Sequence, residues 1–323
     1  MALMTQVAIV IVSWNTCELL AACVHSIIND PLVAQIVVVD NASHDDSVAM
    51  VQQRFPQVVC MAESVNHGFA GGNNIGLRWL LAQPHLPEFI CCLNPDTLVA
   101  PGALAHMVQY LRDHPSVVGC GPQLRYGDGR WQSSRRRFPT VGTYLCESTP
   151  IGQWWPGNPW HTRYHMATTP PDVTCMVDWL VGAVLLVRCA DVRTHGLFDA
   201  EFALYSEEIE WQRRLTGGAP HRMAYVAEAQ VTHYEGQSSQ QIPAQRLVWF
   251  FQSRLRDATI AYGWWWGSVV RGGLIVQYVA EWFIETTKWV LGHKRDIRRA
   301  RMHTYGHLVR ALWQWRMTPA KIW

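Results

Sequence analysis

The 323-residue chain has no CxxC pair among its nine cysteines, no run of 18 uncharged apolar residues, and no GxGxxG after its first apolar segment. Each absence removes a class of protein. An odd cysteine count, with Cys91 and Cys92 adjacent in an apolar run, argues against a disulfide framework, so the thiols read as reduced core residues. Without a long apolar run the sequence offers no spanning helix. A Rossmann dehydrogenase needs its glycine fingerprint directly after strand one, and a nucleotidyltransferase needs a basic glycine-rich loop there. That position reads SWNTCELL, residues 13–20. The opening MALMTQVAIVIVSW has no basic n-region and runs straight into a strand pattern, so the expectation is a cytoplasmic protein without a signal peptide. Charge is also sparse, 16% of residues against 49% apolar, which suits a chain that buries a substantial core.

The small net charge of +2 conceals a split. Residues 1–242 carry 14 basic and 21 acidic side chains, whereas residues 243–323 carry 13 and 4. The same final segment holds nine of the 17 tryptophans. Two regions with different partners are therefore expected, divided at 242. Because the basic cluster is confined to that tail, nucleic acid is not an expected partner.

What is present in the first region is alternation. VAIVIVSW (7–14), IVVVD (36–40), VVCMAE (58–63) and FICCLNPD (89–96) read as strands. CELLAACVHSII (17–28), DSVAMVQQRF (46–55), 75–83 and PGALAHMVQYL (101–111) read as helices. Such an order implies βαβ units and a mostly parallel sheet flanked by helices, and ligands bind beyond the carboxyl ends of those strands. The stretches at those ends are SWNT, DNAS, the turn VNHGFAGGNNIG (65–76) and NPDT, all polar. From 125 to 175 the pattern dissolves and reads as loop. Regularity returns in DWLVGAVLLVR (178–188), FDAEFALYSEEIEWQRRL (198–215) and YVAEAQVTHYEGQSS (225–239).

Asp40 and Asp96 end strands, where a carboxylate serves either as a turn former or as a contact for a ligand or hard cation. Glu207-Glu208 serves either as ordinary helix-start stabilisation or as a source of a general base. His233 is either a core histidine or a metal ligand.

Taken in order, VSWN (12–15), VVVDNAS (37–43), NHGFAGGNNIG (66–76), LNPDT (93–97), DWLVGA (178–183), FDAEFALYSEEIEWQRRL and HYEGQSS (233–239) closely resemble the inverting GT-A glycosyltransferases of family 2, especially their rhamnosyltransferase-like branch. The resemblance spans residues 6–240 and implies a GT-A sheet holding a nucleotide-diphosphate sugar. It assigns Val12, Ser13, Trp14, Asn15 and Asp40 to the base and ribose. Asn66, Gly68, Asn73 and Asn74 would close over the donor, with Asn94, Asp178 and Trp179 also lining it. Asp96 matches the last carboxylate of the DxD-type motif, with Asn94 in place of the first aspartate, and His233 completes a site for Mg2+ or Mn2+. Glu208, where the family usually has aspartate, would be the base that takes the acceptor's hydroxyl proton. Arg135, Arg136 and Arg137 read as a solvated loop, and Glu210 as a partner of Arg213 or Arg214.

The branch implies a deoxyhexose such as rhamnose from dTDP-rhamnose, and a lipid-linked or polysaccharide acceptor. Glutamate at 208 and asparagine at 94 leave open a scaffold that binds nucleotide sugars without turnover. Over 264–303, Arg271, Gln277, Glu281, Glu285 and Lys288 share one helical arc of about 120° and aromatic or aliphatic residues fill the rest. Followed by KRDIRRAR, this reads as an amphipathic helix lying on an anionic membrane at the inner face of the cell, with packing on the protein itself as the alternative.

Overall fold

The computed structural model describes residues 7–220, 222–236 and 243–318. The first six residues of the expected leaderless start, the end of HYEGQSS from Gln237 to Ser239, and the boundary at 242 lie outside the described residues.

Four βα units open the chain. They are β1 (Val7–Ser13) with α1 (Cys17–Ile27), β2 (Val33–Asp40) with α2 (Ser47–Arg54), β3 (Val59–Ala62) with α3 (Gly68–Leu81), and β4 (Phe89–Leu93), which passes through the short β5 (Thr97–Val99) to α4 (Ala103–Asp113). β6 (Gly119–Arg125), β7 (Trp131–Gln132) and β8 (Arg135–Arg136) follow. Three short helices come next, α5 (Val141–Cys146), α6 (Pro150–Trp154) and α7 (Pro159–Tyr164). Beyond them lie β9 (Cys175–Val177), β10 (Trp179–Leu180), β11 (Val184–Arg188), α8 (Cys189–His195), α9 (Glu207–Leu215) and β12 (Met223–His233). Two long helices close the chain, α10 (Pro243–Val290) and α11 (Arg295–Gln314).

Among the described residues the main sheet has the order β3-β2-β1-β4-β11-β6-β12-β5, with β7 on β6 and β9 on β12. β2 pairs in parallel with β3, β1 with β2 and β4, and β12 with β6; β11 runs antiparallel between β4 and β6. In β1, Val7, Ile9 and Ile11 enter one buried layer and Ala8 and Val10 the other. That is why the strand reads as a continuous apolar run rather than an alternating one. All nine cysteines are free, and six of them are buried.

The turn expected over 65–76 is instead the first half of α3, which begins at Gly68. Its glycines are there for closeness. A Cβ on Gly72 would lie 2.6 Å from Val12 Cγ1, and one on Gly76 would lie 2.6 Å from Val10 Cγ1. The helix thus rests almost on the β1 side chains, a gain that offsets glycine's low helix propensity. Only Gly68, at φ +70°, uses glycine's left-handed freedom.

The 125–175 stretch is also more regular than expected. Thr140 caps α5 by accepting from Thr143 N, Thr149 caps α6 ahead of Pro150, and Asn158 caps α7 ahead of Pro159. A capping side chain followed by proline at the first helical position is a helix start. The three arginines are not a solvated loop. β8 pairs with β10, and Arg135 is wholly buried between the rings of Trp131 and Tyr225, donating to the Pro170 and Thr169 carbonyls.

Helix α10 breaks at Gly263, where φ is +82°. Its first half is anchored to the sheet domain by buried ion pairs. Arg256 meets Asp199 at 2.6 Å, and Asp257 accepts from both Arg213 and Tyr144. In the second half the expected polar arc faces inward. Gln277 bonds Leu145 O and Ile151 N, and Glu285, 1% exposed, is gripped by Arg298 at 2.8 Å with Arg301 and Lys288 beside it. The outward face is apolar, with Trp264 and Trp265 about 70% exposed and Val276, Phe283, Val290 and Leu291 60% or more. Among the described residues no helix is long and apolar enough to cross a membrane.

The α3–β1 contact sets a stability test. Gly76→Ala forces a methyl into Val10 and should cost about 1–3 kcal/mol, the usual range for overpacking, read as a lower urea midpoint at unchanged slope. An unchanged midpoint would contradict the close approach.

Candidate functional site

Three adjacent parallel strands end at one edge. Ser13 on β1 stands in register with Asp40 on β2, and Ile11 with Leu93 on β4, so Ser13, Asp40 and Asn94 emerge side by side. Asn15, at φ 51°, links the first two loops: its backbone N–H donates to Ser43 Oγ at 2.9 Å and its Oδ1 accepts from His44 N at 2.7 Å. Ser13 Oγ is shared with Thr16, and Val12 and Trp14 are half-buried on either side. Asp40 is buried. Its Oδ2 accepts from Ser43 N at 2.9 Å, while among the described residues Oδ1 has no partner.

Asn41, which the sequence reading passed over, pins the start of α3. Its Nδ2 donates to Asn66 Oδ1 and to Gly68 O, both at 2.9 Å, and its Oδ1 accepts from His67 N. Asn66 in turn accepts from Gly68 N at 2.8 Å. The polar segment 66–68 is thereby held at the strand edge. The signal available in sequence is an amide residue directly after the strand-end aspartate.

β12 bends between Val226 and Gln230, and its last residue, His233, pairs with Thr97 just after Asp96. Both side chains are buried, with His233 Nε2 3.3 Å from Asp96 Oδ1. The tautomer is set from behind. Gln132 Nε2 donates to Glu235 at 2.9 Å, which leaves Gln132 Oε1 to accept from His233 Nδ1 at 3.0 Å. A neutral imidazole that donates from Nδ1 presents a bare lone pair at Nε2, and among the described residues that nitrogen has no hydrogen-bond partner. Two buried acceptors facing each other fit a cation between them. An oriented histidine with a carboxylate is the donor set of a divalent-metal site, and the Gln132–Glu235 pair is its supporting shell. Neither supporting residue was marked from sequence.

Glu207 and Glu208 open α9 after Tyr205 and Ser206, both left-handed at φ 67° and 68°. Two such non-glycine residues hold strain of roughly 1–3 kcal/mol each, and they fix the direction of the acidic pair. Burial, together with Glu208, drives the Glu207 carboxyl well above its usual range. Burial pushes Glu208 up to about 7, with Asp257 adding to the rise and Arg136 opposing it. Glu208 lies against Gly182, whose Cβ would sit 3.5 Å from both Glu208 Cβ and Phe69 Cζ. Ala183 O in turn accepts from Asn94 N at 2.9 Å, so Glu208 borders the same edge. Among the described residues its Oε2 is buried without a partner. Glu210 bonds Arg214 through both oxygens, as expected.

Four expected donor contacts are committed elsewhere. Asn74 exchanges two hydrogen bonds with the Phe198 backbone at 2.8 and 2.9 Å, and Asn73 donates to Phe69 O within its own helix. They lie inside α3 rather than on a loop, so their amides serve the fold. Asp178 accepts from Phe138 N and pairs with Arg137, while Trp179 Nε1 donates to Arg137 O. Both hold the β8 segment in place.

Comparison with known proteins now bears on this geometry. A sequence model described as Glycosyl transferase family 2 matches residues 8–176. The N-acetylglucosaminyl-diphospho-decaprenol L-rhamnosyltransferase of Mycobacterium tuberculosis is 27% identical over 242 residues, covering 73% of this chain and 78% of that protein. Rhamnosyltransferase WbbL of Escherichia coli is 25% identical over 194 residues, 59% of this chain and 69% of the relative. Among solved structures, GalNAc-T7 with UDP, GalNAc and Mn2+ superposes with a TM-score of 0.56 at 15% identity, covering 79% of this chain and 48% of that one. The Pyrobaculum calidifontis mannosyltransferase PcManGT with GDP-Man and Mn2+ gives 0.52 at 14% identity, covering 96% and 86%. At these identities the structures establish a shared fold, the mixed sheet of the GT-A type.

The raised Glu208 carboxyl carries a stability signature. The folded state holds that proton more tightly than the unfolded one, so its stabilisation is full below about 4.5 and is lost as pH rises through about 7. Glu208→Gln should therefore melt higher than wild type at pH 8, the gap closing at pH 5 with a slope of up to about 1.4 kcal/mol per pH unit. Equal melting at both pH values would place the carboxyl at its ordinary value.

Proposed function

The chain belongs to glycosyl transferase family 2, and from that membership we propose a metal-dependent inverting glycosyltransferase that moves rhamnose from a nucleotide-diphosphate donor to a hydroxyl of a lipid-linked or polysaccharide acceptor. The observation that carries the reading is Glu208: a carboxylate poised near neutral pH, one oxygen of which has no partner among the described residues, beside the strand edge that bears Asp40, Asn94 and Asp96. The sugar and acceptor class follow the names of the relatives, both rhamnosyltransferases and one acting on a decaprenol-linked diphosphate.

In this reading Asp40 Oδ1, without a partner among the described residues, accepts from the nucleoside. Residues 66–68, pinned by Asn41, carry neutral groups that approach the diphosphate without repelling it. Asp96 and His233 hold Mg2+ or Mn2+, which when bound supplies Lewis-acid stabilisation of the leaving diphosphate. Glu208 removes the acceptor hydroxyl proton as that oxygen attacks the anomeric carbon from the face opposite the nucleotide, which inverts the configuration. The proton ends on Glu208, and the nucleoside diphosphate departs with the bonding pair. A base near 7 is well matched to this work.

We place the protein peripherally on the membrane face that holds nucleotide sugars, the cytoplasmic one, with residues 243–323 as the attaching region. The support is the inverted pattern of α10, whose polar side chains face the protein and whose tryptophans face out, next to exposed Lys294, Arg295 and Arg299. Exposed Trp154 and Trp155 on α6, which packs against α10 through Ile151 and Gln277, extend the apolar surface.

Two measurements test this. Glu208→Gln should lower the transfer rate by roughly 10²–10⁴-fold while nucleotide binding is kept, and the wild-type rate should climb with pH up to about 7. Retained transfer would move the base elsewhere, and no turnover in wild type with any donor would favour a non-catalytic scaffold. Replacing Trp264, Trp265 and Phe283 together by serine should weaken binding to anionic vesicles by roughly tenfold or more, as seen by co-sedimentation. Unchanged sedimentation would leave α10 without a membrane role.

A further inference from the structure

A second group of metal-binding side chains stands on the α5–α7 insert. Glu147 caps the end of α5, and His161 and His165 lie four residues apart on α7. His161 Nδ1 is 2.9 Å from Glu147 Oε2, and His165 Nε2 is 2.9 Å from Glu147 Oε1. One ligand atom from each of the three lies within 4.8 Å of the others. A tetrahedral ion bonded at 2.0–2.2 Å separates its ligands by about 3.3 Å, so the two 2.9 Å contacts would open slightly and any wider separation, at most 4.8 Å, would close as the three side chains turn onto one ion.

The donor chemistry selects the ion. Two imidazoles and one carboxylate suit zinc-class metals, whereas magnesium and calcium prefer oxygen cages with more carboxylate charge. Glu147 and His165 are mostly covered, whereas His161 is 43% exposed and leaves a solvent route to the group.

We propose that Glu147, His161 and His165 form a zinc-class metal site that staples α7 to the end of α5, separate from the Asp96–His233 pair. Its consequence lies in what α7 carries. Thr162 and Arg163 line a cleft of about 770 Å3 together with Arg137 and Asp178. Between the histidines, Tyr164 packs on Trp179 and lies under the Arg136 guanidinium, the cation whose charge reaches Glu208. Fixing α7 therefore fixes one wall of that cleft and steadies a cation whose charge acts on Glu208.

The test is binding of Zn2+ and Co2+ to the full chain, freed of metal by chelation and carrying no histidine tag. Asp96→Asn with His233→Ala, which removes the strand-edge ligands, should still take up one equivalent of Zn2+ and show the visible absorption of tetrahedral Co2+. Adding His165→Gln or Glu147→Gln to that background should weaken uptake by roughly tenfold or more and abolish the Co2+ spectrum, with circular dichroism of the metal-free protein unchanged. Metal uptake that survives both substitutions would overturn the site, as would no uptake in the Asp96→Asn, His233→Ala background. If Zn2+ leaves its melting temperature unmoved while metal-free His165→Gln melts lower, the group is a hydrogen-bonded clamp and the metal proposal fails.

Discussion

A buried acceptor without a donor costs free energy, and among the described residues Asp40 Oδ1, His233 Nε2 and Glu208 Oε2 are in that condition along one side of the sheet. Asp40 is fixed by strand register and by Ser43, His233 by Gln132 and Glu235, and Glu208 by two left-handed residues ahead of its helix. The unfavourable burial is sustained by two apolar layers, one on each face of β1. Atoms arranged this way are stabilised by a ligand that brings a donor, a cation and a proton to them. That requirement joins the fold to the proposed chemistry.

The same logic runs in reverse on the C-terminal helices. There the polar groups are satisfied and buried, Glu285 by Arg298 and Arg301, Gln277 by two backbone groups, and Asp257 by Arg213 and Tyr144. The apolar side chains are the ones left exposed. A helix whose polar arc turns toward its own protein has nothing to gain from water on its outer face. Ion pairs from the first half of α10 into α9 and to Asp199 make this region continuous with the sheet domain.

Much of this was legible in sequence because it depends on local pattern. The β-branched runs of β1 and β2 bury both faces and so read as parallel strands, and Asp40, Asp96, Glu208 and His233 stand out as polar residues at the ends of apolar or periodic segments. What escaped depends on distant partners. Gly72 and Gly76 look like a turn until Val12 and Val10 are known to lie beneath them. Asn74 looks like a ligand contact until Phe198, 124 residues away, takes both its groups. Gln132 and Glu235 hold His233 from separate strands and loops, and no spacing reveals that. The α5–α7 helices were missed despite Thr149-Pro150 and Asn158-Pro159, two local start signals hidden among tryptophan and proline.

The central claim is that Asp96 and His233 hold a cation facing a donor whose sugar points at Glu208. A crystal structure of the Glu208→Gln protein soaked with a nucleotide-diphosphate sugar and Mn2+, with data collected at the manganese edge, addresses it directly. The account predicts an anomalous peak in contact with Asp96 and His233 Nε2, diphosphate density beside residues 66–68, and the anomeric carbon open toward residue 208. Manganese bound away from Asp96, or a sugar directed away from residue 208, would contradict it.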